Sequence, residues 1–194
     1  RNNRTVSKGR NFSSKTSLVT LDAPWEVSFD PAWGGPEKVM FEKLEDWAQH
    51  PDTGIKYYSG IAVYRQRFDL PQNVEGKIVL DLGRVKNMAR IHINGREAGT
   101  PWTSPWQLDI TDFVKQTNNE LEIEVVNLWP NRLIGDEQLP DDGIHNGQWP
   151  EWLFKGETRN SGRYTFSTYR HFKKDSPLLE SGLIGPVNFL TIDK

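Results

Sequence analysis

Ala89-Arg90-Ile91-His92-Ile93-Asn94-Gly95 alternates apolar and polar side chains, then ends on a pair that tolerates positive φ. A period of two puts successive side chains on opposite faces of a strand, and Asn-Gly closes a tight hairpin. The stretch therefore reads as a half-buried strand entering a turn. Working towards the N-terminus, Lys77 to Leu82 places Ile78, Leu80 and Leu82 on one face. Gly60 to Leu70 sets Tyr64 and Phe68 against Arg65 and Arg67 and stops at Pro71. Trp25, Val27 and Phe29 alternate until Asp30-Pro31 and Gly34-Gly35-Pro36 interrupt them. Val39 to Ala48 fits either a short helix lined by Phe41, Leu44 and Ala48 or a strand over Val39 to Phe41 before a turn.

Towards the C-terminus, Trp106, Leu108 and Ile110 keep the same period, and Thr111 can cap a single helical turn through Val114. Leu121, Ile123 and Val125 alternate with Glu122 and Glu124, and Asn118-Asn119 precedes them. Tyr164, Phe166 and Thr168 predict one further strand, and Val187, Phe189 and Thr191 another. No long helical stripe competes. Roughly eight to ten short strands with turn punctuation predict an all-β, antiparallel jelly-roll β-sandwich with long loops.

The 194 residues suit one domain and are enough to bury a core. They are too few for a (β/α)₈ barrel, which takes about 250 residues. The basic, Asn- and Ser-rich start predicts a flexible arm or linker over residues 1–17, with the sandwich over 18–194 and a long loop insertion around 129–160. Two glycosylation sequons, Asn3-Arg4-Thr5 and Asn11-Phe12-Ser13, lie in that arm. The chain opens on Arg1, as a piece of a longer or processed protein would. A formal net charge of −2 gives no general attraction to nucleic acid or to an anionic membrane, so neither is an expected partner. No apolar run approaches the roughly 20 residues that span a bilayer. The absence of cysteine excludes disulfides and thiolate metal sites.

Residues 60–126 resemble the sugar-binding β-sandwich of family 2 glycoside hydrolases, a galactose-binding-like jelly roll. The blocks that carry the resemblance are Gly60 to Phe68, Leu80-Asp81-Leu82-Gly83-Arg84-Val85, Ala89 to Gly95 with Gly99, Pro105-Trp106-Gln107-Leu108-Asp109-Ile110-Thr111, and Asn119 to Val125. Three flanking runs resemble the C-terminal region of large bacterial α-L-rhamnosidase-like enzymes of glycoside hydrolase family 106. They are Trp25-Glu26-Val27-Ser28-Phe29-Asp30, Leu128 to Asp136, and Tyr164 to His171. In such enzymes the catalytic glutamates belong to a separate barrel domain, so the resemblance implies membership of a hydrolase and supplies no catalytic residue here. It also implies a periplasmic or extracellular setting, and the catalytic domain of the same parent chain as partner. Gly83 reads as a turn position where a side chain would clash.

Sugar recognition needs an aromatic face for the apolar side of a pyranose and planar polar groups for its hydroxyls. Trp129, Asn131, Arg132 and Asp136 form one candidate set, Trp102 and Trp106 a second, and Trp149 with Trp152 a third. The competing reading for each is core packing or docking onto a partner domain. Glycoside hydrolysis needs two carboxyl groups across the scissile bond, about 5–5.5 Å apart for retention or about 6.5–9.5 Å for inversion. Glu137, Asp141, Asp142 and Glu151 are the acids to examine, with solvated loop charges as the alternative. His50, His92, His145 and His171 are scattered and offer no zinc spacing, and His92 is expected to face solvent or a neighbouring domain. No cofactor is assigned. If a cation binds, loop aspartates suit calcium better than zinc, and Asp136, Asp141 and Asp142 are the candidates.

Two functions compete at this point. One is a non-catalytic accessory domain that packs on and supports a catalytic domain. The other is an autonomous module that binds a plant or microbial polysaccharide. A small β-sandwich glycosidase or lyase is a weaker third.

Overall fold

The computed structural model describes residues 15–192. The expected arm therefore falls outside the described residues up to Ser14, and so do both sequons. Its last three residues, Lys15 to Ser17, are part of a strand: β1 (Lys15–Thr20) pairs antiparallel with β12 (Asn188–Ile192).

Among the described residues there are twelve strands, in three antiparallel sheets. The larger layer takes the order β3 (Val39–Phe41), β2 (Trp25–Ser28), β4 (Ile61–Phe68), β10 (Asn119–Val126), β7 (Met88–Ile93), β8 (Arg96–Gly99). The smaller layer runs β1, β12, β5 (Lys77–Asp81), β9 (Gln107–Asp109). A two-stranded ribbon, β11 (Gly182–Gly185) with β6 (Arg84–Lys86), closes one end. Strands β6, β8, β9 and β11 are three or four residues long, which is why the sequence suggests fewer strands than form. The result is the expected all-β antiparallel sandwich.

The alternation seen in the sequence is the core. Trp25, Val27, Tyr64, Phe68, Ile91, Ile93, Leu121, Ile123 and Val125 point inward from the larger layer and meet Ile78, Leu80 and Phe189 from the smaller one. The rings of Phe68 and Phe189 stack at 4.3 Å between centroids, joining the two layers. Each such side chain contributes about 1.5–3 kcal/mol when fully buried. The ambiguous stretch Val39 to Ala48 resolves as the strand β3 and then a 3-10 turn, Trp47–Gln49, that sends Trp47 into the core. Trp47 stacks on Tyr64 and donates its Nε1–H to the Tyr64 hydroxyl at 2.6 Å. Burial pushes that phenol well above its ordinary range, so it is neutral at any physiological pH.

Two local expectations are replaced. Thr111 does not cap a helix: its hydroxyl accepts from Ile78 N–H and donates to Asp109, whose carboxylate also takes Thr111 N–H. Tyr164 to Thr168 is not a strand, because side chains elsewhere claim its backbone. Among the described residues no helix is long and apolar enough to cross a membrane.

Candidate functional site

Residues 127–181, between β10 and β11, leave the sandwich and return to it at one neck. Asn127 donates to Ser181 Oγ at 2.7 Å and to Tyr58 O at 2.7 Å, and accepts from Gly60 N–H at 2.9 Å. Ser59 donates to Leu128 O, while Asp46 accepts Ser181 N–H. Both ends of the excursion are thus fixed to the rigid body. The expected long loop contains two short helices, α2 (Pro130–Asp136) and α3 (Glu151–Lys155). Proline at the first position of α2 and an Arg132/Asp136 pair one turn apart account for that helix.

What holds the excursion is polar. Asp136 is buried, and its Oδ2 accepts from Tyr164 N–H, Thr165 N–H and the Thr165 hydroxyl at 3.1, 2.6 and 2.6 Å. Its Oδ1 lies 3.2 Å from Arg132 Nε, too far off axis for a hydrogen bond, so the pair is electrostatic. Desolvation lowers the Arg132 guanidinium from its ordinary value, with the adjacent Asp136 charge opposing. Arg132 also lies over the Tyr164 ring at 4.7 Å. Arg159 grips Asp142 with two bonds of 2.5 and 2.7 Å and donates a third to Thr165 O. Those Arg159 bonds, followed by that from Ser161, hold the Asp142 carboxyl below its usual range. Arg163 pairs with Glu137 at 2.9 Å and donates to Pro140 O and Leu139 O.

The aromatic side chains lie outside this scaffold. Nine of the thirteen exposed large apolar side chains among the described residues belong to residues 128–179, including Phe154 at 75% and Tyr169 at 69% exposure. Trp149 stacks on Phe166 at 5.9 Å, Trp152 meets the same ring edge-on, and Arg159 lies beneath both Trp152 and Phe166. Trp149 and Trp152 also wall a cavity of about 270 Å³ with Asp141, His145 and Gln148.

The candidate sugar-binding residues separate into distinct roles. Trp129 is half exposed and packs edge-on against Trp33. Asn131, Arg132 and Asp136, on the same helix, are buried. Asn131 bonds both the N–H and the C=O of Leu179, so its amide closes the excursion rather than facing a ligand. Trp102 is exposed on the β8–β9 connection, whereas Trp106 is half buried against the core. The calcium candidates do not converge. Asp136 and Asp142 are committed to the donors above, and Asp141 faces Arg170, His145 and Gly143 N–H. Every acid considered for hydrolysis has a cationic partner, including Glu151 with Lys155 at 2.6 Å. Among the described residues the one His/Asp/Glu group close enough to share a metal is His92, Glu122 and Glu124, which only cross-strand register reveals.

Residues 55–167 match the model of the glycosyl hydrolase 2 galactose-binding domain-like family, over the central strands and most of the excursion. A putative beta-glucuronidase of Formosa agariphila is 42% identical over 176 residues, which is 87% of this chain and 15% of that protein. The rhamnosidase from Novosphingobium sp. PP1Y superposes with a TM-score of 0.75 at 34% identity, over 95% of this chain and 16% of that one. A beta-glucuronidase from an uncultured Clostridium sp. shares the fold, with a TM-score of 0.57 at 18% identity over 98% of this chain and 31% of that one. The chain thus spans about 15% of the curated relative's length.

Proposed function

The chain belongs to the glycosyl hydrolase 2 galactose-binding domain-like family, and from that premise we propose that it is the non-catalytic accessory sandwich of a large glycoside hydrolase. Its task is to pack on the catalytic domain of the same parent and support it. The observation that carries this reading is the concentration of exposed aromatic side chains on the 128–179 excursion. Exposed apolar side chains gathered on one segment, with Trp149, Phe166 and Trp152 in mutual contact, are the kind of surface that marks interfaces. The polar scaffold beneath keeps the rings presented at fixed positions, which lowers the ordering cost of docking. The Arg159 bonds that hold the Asp142 carboxyl below its usual range support a non-catalytic role for that acid, because a general acid needs a carboxyl that can hold a proton near neutral pH. By the names of its relatives, the parent acts on glycans bearing rhamnose or glucuronic acid, and the family resemblance points to the periplasm or the cell exterior as its place.

One observation favours a second reading, an autonomous carbohydrate-binding module: the cavity walled by Trp149 and Trp152 with Asp141 and His145 has polar groups beside an aromatic wall. Tryptophan fluorescence of the purified chain, titrated with rhamnose, glucuronic acid and oligosaccharides containing them, separates the two. The accessory reading predicts no saturable change up to millimolar sugar. A saturable change abolished by Trp149→Ala would establish the binding module instead.

A further inference from the structure

The outer face of the larger sheet is built from the alternate, outward side chains of β2, β4, β10 and β7. The register places Glu26 beside Arg65, Arg65 beside Glu122, and Glu122 beside His92. Glu124 lies two residues along β10 and faces Arg90. Two arginines hold the outer oxygens of the two glutamates: Arg65 Nε donates to Glu122 Oε2 at 2.7 Å, and Arg90 to Glu124 Oε2 at 3.2 Å. Each carboxylate therefore has its second oxygen left over. Both Oε1 atoms turn to the same nitrogen, His92 Nδ1, at 3.9 and 4.0 Å. That nitrogen is shut off from solvent and has no hydrogen-bond partner.

A buried, unpartnered nitrogen between two carboxylate oxygens is costly unless something sits among the three. We propose that His92, Glu122 and Glu124 form a binding site for a divalent transition ion of the zinc class. The three ligand atoms lie within 4.8 Å of one another. Zinc bonds nitrogen and oxygen at about 2.0–2.2 Å, so tetrahedral ligand atoms stand about 3.4 Å apart. Closing the gap takes a rotation of less than about an ångström at each carboxylate, about the oxygen its arginine already holds. One imidazole and two carboxylates leave a fourth position open to water, which suits Zn²⁺ or Mn²⁺ and is too few and too nitrogenous a set for Ca²⁺. Arg65 and Arg90 play the outer role that orients ligating carboxylates. A depression of about 580 Å³ lined by Glu26, Arg65, His92 and Glu122 opens on the same face, beside the group. The ion would staple β7 to β10, neighbouring strands of the larger sheet, independently of any docking partner.

The test is calorimetric titration of the chelator-stripped chain with ZnCl2 near neutral pH, repeated with CaCl2. The site predicts one saturable zinc equivalent, a Kd raised at least tenfold in both His92→Gln and Glu124→Gln, and no change in His145→Gln. A zinc excess of about a hundredfold over Kd should raise the melting temperature by roughly 5 °C or more, an increment absent in His92→Gln. No saturable zinc heat at millimolar metal, or His92→Gln titrating like the parent, would overturn the proposal. Calcium binding as tight as zinc would overturn the class of ion.

Discussion

Two glycines show how differently the same residue type constrains this fold. Gly83 has φ +63, and a Cβ there would stand 2.4 Å from the Gly185 carbonyl oxygen, where the ribbon meets the sandwich. Gly95 has φ +76 but nothing within 4 Å. Gly95→Ala should therefore cost only the left-handed strain, about 1–2 kcal/mol, whereas Gly83→Ala adds backbone displacement and should cost about 3 kcal/mol or more. Urea unfolding of the two variants checks the ordering. Asp109 gives a pH signature. Bonds from the Thr111 hydroxyl, then Lys77, hold its carboxyl at about 2, below the ordinary 3.8. A lowered folded value means that its stabilisation is complete above the unfolded value and drains away as pH falls from about 4 to about 2. The side chain is largely solvated, so the effect is small. Asp109→Asn should flatten the stability profile in that window alone, and an unchanged acid limb would contradict the assignment.

At the scale of elements, strands were legible and clamps were not. Wherever alternation put Trp25, Val27, Tyr64, Ile91 or Leu121 on one face, burial followed, because a strand's two faces differ by one residue. Tyr164 and Phe166 show the same alternation without a strand, since the Asp136 carboxylate takes the N–H groups a partner strand would need. Pro130 and the Arg132/Asp136 spacing favour the helix that forms within a stretch expected to be loop. The same polar residues also fit a sugar site, and nothing local to them showed that Leu179 and Thr165 would claim them. The His92 group stayed hidden for a related reason: His92 lies 30 residues or more from Glu122 and Glu124 and meets them only through the β7–β10 register. Removing the clamp is informative. Asp136→Ala strips the partner from buried Arg132, and such a loss costs about 3–5 kcal/mol. Limited proteolysis should then cut first near Tyr164 to Phe166, while amide exchange in β4, β7 and β10 stays slow. Equal loosening of the sandwich would mean that the excursion is not a separate unit.

For the whole molecule, the sandwich and the excursion divide the work. The sandwich buries most of its aromatics, including Trp25, Trp47 and Tyr64, and is stable through them. The excursion does the reverse, spending arginine–carboxylate pairs inside and leaving Trp149, Phe154, Phe166 and Tyr169 outside. If those rings are a docking face, Trp149→Ser with Phe166→Ser should leave the melting temperature of the chain within a few degrees, because exposed rings add little to its own stability. The same double variant should lower its aggregation on concentration. The most direct test of the accessory role is complementation in trans. The remainder of the parent hydrolase is produced without this chain, and its melting temperature and its turnover of aryl rhamnoside and aryl glucuronide are measured with and without the purified chain. The account predicts no turnover by the chain alone, a stabilised and more active remainder when the chain is added, and neither effect with the Trp149/Phe166 double variant. Turnover by the chain alone, or a remainder indifferent to its addition, would contradict it.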